Sequence, residues 1–250
     1  MTLREKLGQL NLPSGGDLVT GSVMNGELSD MIRKQEIGGF FNVKGIQKIN
    51  ALQHLAVEES RLKIPLLVGA DVIHGYETIF PIPLALSCSW DTLADERMAR
   101  ISAIEASADG INWTFSPMVD ICRDARWGRV GETFGEDPYL ISEMGIAFIN
   151  GYQKNRITCM PKHFVAHGTP SGGLNCAQVS GGERELRSLY LYPFRRVIKE
   201  TNPLALMTCY SAYDGVAITG SPYYMTDILR GELGFKGYVY SDWGSVDRLK

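Results

Sequence analysis

The sequence holds no run of about 18 apolar residues, the length a bilayer-spanning helix needs. It has no cluster of basic side chains either: 25 Lys and Arg stand against 28 Asp and Glu, a formal charge of −3. That balance argues against nucleic acid as the main partner. Its 5 cysteines, at positions 88, 122, 159, 176 and 209, include no C-x-x-C pair. This is neither a disulfide framework nor a zinc site. One H-x-x-x-H spacing joins its 4 histidines, His163–His167, but it lacks the Glu of an H-E-x-x-H motif and falls on an apolar, strand-like run rather than a helix, so neither a metal nor a cofactor is expected. No G-x-G-x-x-G follows an early strand, which removes the dinucleotide-binding fingerprint. Met1–Lys6 carries no signal-peptide apolar segment. Were residues to precede it, a periplasmic or secreted location would be open.

What is present is an ordinary globular balance, 44% hydrophobic and 21% charged over 250 residues. That length buries a full core as one large α/β domain or two small ones. Apolar runs of strand length fall at Ile37–Val43, Ile64–Asp71, Ile82–Cys88, Asn112–Val119, Thr158–Val165, Leu204–Tyr210 and Gly237–Ser241. Near-continuous apolar character marks strands buried on both faces of a parallel sheet. Helices lie between them. Asp91 can cap one whose stripe is Ala94, Met98, Ile101, Ile104 and Ala108, closed by Gly110. Others follow Pro138, cover about 183–199 with a break at Pro193, and span about 226–233 before Gly234.

Alternating strand and helix implies a parallel sheet, either an open doubly wound one or a TIM-like (β/α)8 barrel. Polar residues at the C-terminal ends of several strands favour the barrel. Seven candidate strands, against the eight a barrel needs, suggest that the sequence stops before the last. A barrel in that state would expose an unpaired edge and apolar surface.

Asp71 ends the run Ile64–Asp71, where a carboxylate could accept hydroxyl protons in a barrel mouth or merely cap a turn. The stretch Cys122–Glu132 is dense in both charges, and Arg123, Asp124 and Glu132 read as a network holding a loop. Arg129 follows Gly128, and its planar fork suits vicinal hydroxyls. Lys162 and His163 are adjacent, so a bulge or a strand end would be needed for both to reach one pocket. A Lys inside an apolar run is costly unless paired or used, as a hydrogen-bond donor or as a Schiff-base lysine. Asp242 closes the last run and is followed by Trp243, whose ring suits the apolar face of a sugar. A carboxylate there either caps the next helix or attacks an anomeric carbon. His54 reads as structural; His74 and His167 each precede a glycine.

Together these segments resemble glycoside hydrolase family 3, in its β-glucosidase branch. The pieces are Leu66–Asp71 with His74-Gly75, Cys122–Arg129 with Glu132 and Gly135–Pro138, Pro161–Phe164, Arg184–Arg187 with Tyr192–Phe194, and Tyr240–Trp243, in the family's order. The resemblance covers the whole chain. It implies a retaining, exo-acting β-glucosidase barrel across 1–250, acting on a β-glucoside or oligosaccharide. Asp242 would be the nucleophile. Asp71, Arg129, Lys162 and His163 would hydrogen-bond the sugar, the last three supplying donors. Tyr210 would sit near the nucleophile, and Trp243 would flank the leaving group. The family's N-acetylglucosaminidase branch carries an Asp-x-His pair after Lys-His-Phe, and Val165–Cys176 has none. Xylosidase-like members tend to carry Glu where Asp71 stands, so the shorter acid points to glucosides. In this branch a following α/β sandwich domain supplies the acid/base glutamate, and none of Glu132, Glu136 and Asp137 is assigned that role. The rivals are a barrel that binds sugar without turnover or is inactive, and an aldolase built on Lys162.

Overall fold

The computed structural model describes residues 1–16 and 28–249. Its described residues divide into two compact units, Met1–Asp71 with Ile104–Thr114, and Val72–Ala103 with Phe115–Lys250. The first unit is built on three parallel strands: β1 (Gly39–Phe41), β2 (Leu67–Ala70) and β3 (Trp113–Thr114). Phe40 pairs with Val68, and Gly69 with Trp113. Phe40, Val68 and Trp113 are buried, as expected of strands covered on both faces. The helix Ile46–His54 turns Ile49 and Leu52 inward and leaves His54 exposed.

In the second unit the segment 115–119 meets 158–164, which begins with β4 (Thr158–Cys159). Met118 bridges Lys162 in parallel, with Lys162 N–H donating to Pro117 (3.0 Å) and Val119 N–H to Lys162 (2.8 Å). Phe164 then bridges Thr208, just past β5 (Ala205–Met207). After the short hairpin of β6 (Ala212–Tyr213) and β7 (Val216–Ala217), β8 (Tyr238–Tyr240) pairs in parallel with β5. Four parallel segments thus run side by side, and their C-terminal ends fall together.

Helices with legible ends flank them. Asp91 Oδ1 accepts from Ala94 N–H at 2.9 Å and caps Thr92–Ala108, and Gly110 (φ 94°) takes the left-handed turn that ends it. Asp137 caps Pro138–Gln153 through Leu140 N–H (2.7 Å), with Pro138 at the first helical position. That helix packs closely because Gly145 has no side chain: a Cβ there would lie 2.8 Å from Val119 Cγ1. On its buried face Phe148 stacks on Tyr152 at 4.7 Å, and elsewhere Phe164 meets Phe194 edge-on at 5.2 Å.

Two elements differ from the sequence reading. Ile82–Cys88 is not a strand: Pro83–Ser87 forms a short helix with proline at its start. Pro81 and Pro83 bracket Ile82, remove two backbone donors a ladder would need, and preset the helical φ. The helix across Pro193 does not break there. Its turns widen over Leu186–Tyr190, and Leu191–Thr201 then continues with Pro193 buried within it. The wider turns absorb upstream the missing proline donor.

Asp95 is the oddest buried group in this unit. It lies in Thr92–Ala108 with no exposure, and neither carboxylate oxygen has a hydrogen-bond partner among the described residues. Burial alone holds its pKa well above the ordinary value, so the folded chain keeps a proton that the unfolded chain releases. The folded state binding the extra proton, stability is highest below the unfolded value near 3.9 and falls as pH rises through the folded one. Asp95→Asn, which cannot ionise, is therefore expected to be more stable than the wild type at pH 8, by about 1–3 kcal/mol. The two should converge near pH 4. Urea denaturation at both pH values reads the difference, and an equal gap at both would refute a buried protonated acid.

Candidate active site

The four adjacent segments end in four polar positions: Asp120 after 115–119, Lys162-His163 within 158–164, Tyr210 after β5, and Asp242 after β8. Asp242 is only 9% exposed. Its Oδ1 accepts from Trp243 N–H at 2.7 Å, whereas Oδ2 has no hydrogen-bond partner among the described residues. Burial raises its pKa, opposed by the Trp243 N–H, the Tyr210 hydroxyl and the charges of Lys162 and Arg129. One oxygen is pinned and the other is bare, the arrangement a nucleophile needs.

Lys162 and His163 are 4% and 1% exposed, and both belong to this cluster. Beyond Cys159 the pairing continues as single bridges, at Lys162 to one neighbour and at Phe164 to the other, so the two are not held to the strict alternation of one continuous ladder. His163 Nε2 lies 3.4 Å from Asp242 Oδ2. The charge of Lys162 acts on Asp242, Asp120 and Glu132, which suits a donor held among acceptors.

Arg129 joins them from the loop after Asp120. Its Nε and Nη2 grip Glu132 at 2.8 Å each, and Nη1 points at His163 Nε2 at 3.3 Å. Burial by itself would lower the guanidinium's pKa, but Glu132, Asp120 and Asp242 outweigh it and raise it. Burial would likewise raise the Glu132 carboxyl, and the Arg129 fork holds it below its usual range. Glu132 is thus committed to Arg129. Arg123 pairs with Glu185 (2.7 Å) and Asp124 with Arg126 (2.7 Å), loop contacts as the sequence suggested.

Aromatic groups wall the cluster. The Tyr210 hydroxyl is turned to Asp242, and burial first, then that carboxylate, raises the phenol's pKa. Arg248 lies over the Tyr210 ring at 5.4 Å. Trp243, 39% exposed, follows the carboxylate directly. His167 is buried, edge-on to Trp127 (5.4 Å) and His163 (4.7 Å), with Nδ1 at 3.1 Å from Ser211 Oγ. Burial and then Arg129 and Lys162 push its pKa down to about 3, so it is a neutral wall.

Asp71 follows β2 in the first unit and is half-buried, while the cluster around Asp242 belongs to the second. His74 closes a turn through Nδ1 to the Phe80 carbonyl (3.1 Å).

Sequence reasoning missed Asp120 and Arg248. Asp120 carries the same signal as Asp71 and Asp242, an acid ending an apolar run, here Asn112–Val119. It is 2% exposed, and burial raises its pKa to about 7 against the pull of the His163 backbone N–H, Arg129 and Lys162.

Residues 2–250 match the family described as glycosyl hydrolase family 3 N terminal domain. The chain belongs to that family. It is 38% identical over its whole length to a periplasmic β-glucosidase of Salmonella typhimurium, covering 33% of that protein. It is 35% identical over 82% of its length to a β-xylosidase of Formosa agariphila, covering 31% of it. The chain therefore spans about a third of the length of the curated relatives it matches. Among solved structures, a β-glucosidase from Listeria innocua in complex with isofagomine superposes with a TM-score of 0.91 at 38% identity, over 100% of this chain and 36% of that one. The α/β fold with parallel strands is that of the family's N-terminal domain.

Proposed function

We propose that this family 3 chain carries the sugar-binding and nucleophilic half of a retaining, exo-acting β-glucosidase. The observation that carries the reading is the carboxylate of Asp242, pinned through Oδ1 and bare at Oδ2, at the end of β8 among Arg129, Lys162, His163 and Tyr210. Oδ2 would attack the anomeric carbon, forming the carboxylate–C1 bond as the bond to the leaving oxygen breaks. Water then hydrolyses the glycosyl ester. Arg129 and Lys162 would hydrogen-bond the hydroxyls of the terminal sugar, with Trp243 against the leaving group. Contacts to hydroxyls near the reacting carbon can tighten as positive charge develops on the ring.

Glucosides are favoured by the identity to β-glucosidases and by the isofagomine complex of the Listeria protein. The acid that protonates the leaving group is not assigned to any carboxylate here; a domain following the barrel would supply it. Such protonation contributes about 10²–10⁴-fold, so substrates with good leaving groups suffer least without it.

A 2-deoxy-2-fluoro-β-glucoside with a dinitrophenolate leaving group tests the assignment. The fluorine slows both steps, and the activated leaving group lets the first outrun the second. Peptide mapping after incubation is expected to find the fluoroglucosyl group on Asp242. Label on another carboxylate would sink the nucleophile assignment, and no label would favour a barrel that only binds sugar.

A further inference from the structure

Asp120 has no place in the mechanism above, yet it is among the most constrained side chains of the cluster. A single oxygen, Oδ2, faces two nitrogens of one residue: the backbone N–H of His163, which donates to it at 2.9 Å, and the ring Nδ1 at 2.8 Å. At the far side of the same ring, Nε2 meets Arg129 Nη1 at 3.3 Å. A guanidinium has donors and no acceptor, so Nε2 must present its lone pair there. The ring proton then sits on Nδ1 and is given to Asp120. Both contacts specify the same tautomer.

The tautomer matters because Nε2 is also 3.4 Å from Asp242 Oδ2, the oxygen left without a hydrogen bond. With the proton on Nε2 instead, the imidazole would donate to that oxygen and occupy the lone pair that has to attack. From this geometry we infer that Asp120 is a positioning residue: it locks His163 in the Nδ1–H form and so keeps the attacking oxygen of Asp242 uncapped. His163 is then an acceptor towards the pocket, not the donor that the sequence suggested. The catalytic consequence rests on the glucosidase reading; the tautomer does not.

The backbone contact gives the test its control. In Asp120→Asn the amide must keep its oxygen towards His163, because turning the NH₂ inward would set it against a backbone N–H that cannot move its proton. Asn should therefore preserve the Nδ1–H form, and Ala should not. The 250-residue chain is labelled with ¹⁵N-histidine, and the His163 ring nitrogens are assigned by difference with His163→Gln. In the wild type the Nδ1–H form is expected. An Nε2–H or doubly protonated ring at pH 7.5 would overturn the proposal without recourse to any variant. Asp120→Ala is expected to move His163 to Nε2–H and to lower kcat on a dinitrophenyl glucoside by about 10–100-fold, the usual cost of losing an outer partner of a functional histidine. Asp120→Asn is expected to keep the wild-type tautomer and stay within about fivefold in kcat. A fall in Asn as deep as in Ala, or an unshifted ring in Ala, counts against it. If the wild type turns over no glucoside, the glucosidase reading fails, and the ring tautomers in the wild type and Ala decide the role of Asp120 alone.

Discussion

Asp242→Ala is expected to lower turnover of a dinitrophenyl β-glucoside by about 10⁴-fold or more, the scale on which enzymes lose rate when a nucleophile is removed. The leaving group needs no proton, so the loss reports on attack alone. Azide should restore part of the rate in the space the carboxylate vacates: it forms a C1–N bond as the phenolate departs, from the face Asp242 had used. One displacement replaces two, so the product should be the α-glucosyl azide, with inverted configuration. A β-configured product, or a variant of undiminished rate, would remove Asp242 from the mechanism. The wild type's pH profile carries a second signature. Asp242 must be ionised to attack, and burial raises its pKa above the ordinary carboxylate value. The acid limb of kcat/KM should therefore lie at higher pH than for an exposed aspartate.

The second large effect is expected at Arg129. Its fork holds Glu132 while its remaining nitrogen orders His163, and its charge acts on Asp120 and Asp242. Arg129→Ala leaves three acids with Lys162 as the remaining cation acting on all of them. Loss of one preorganised donor set lowers kcat/KM by about 10²–10³-fold. Breaking a fully buried pair costs about 3–5 kcal/mol. Here the side chains of Arg129 and Glu132 keep 21% and 30% of their exposure, so about 1–2 kcal/mol is the more realistic loss. The sign with pH follows from Glu132. Its folded pKa is lowered in the wild type, so the pair stabilises above the unfolded value near 4.3 and fades as pH falls through the folded one. The stability gap between wild type and Arg129→Ala should therefore narrow in acid, which urea titrations at pH 7 and pH 3.5 would measure. Arg129→Lys keeps the charge and loses the fork, and should recover stability better than rate.

Much of this site is legible in the chain because its pieces are local. An acid or a Lys-His pair ending an apolar run marks the tip of a strand, and Asp242, Lys162 and His163 stand at such tips. The caps Asp91 and Asp137 are equally local, since each needs only an oxygen three residues before a free N–H. What escaped depends on distance or on a competing signal. Apolar content at Ile82–Cys88 outweighed two prolines that decide the backbone. The hairpin of β6 and β7 turns on Asp214-Gly215, both with positive φ, a pair that is itself a hairpin signal in sequence. The state of His163 was out of reach, because its proton is placed by an aspartate 43 residues earlier and by an arginine 34 residues earlier.

Side-by-side strand ends also set what the chain can tolerate. The spacing between Asp120, His163 and Asp242 is kept by backbone pairings such as Val119 to Lys162 and Thr208 to Tyr240, so the sheet serves as the ruler of the pocket. A slip of one residue along any of these pairings displaces a side chain by about 3.3 Å and turns it over. Length changes should then sort by place. An extra residue in the turn around Gly234 can be taken up by the loop, whereas one between Cys159 and Lys162 would leave a folded protein whose lysine and histidine answer to the wrong neighbours.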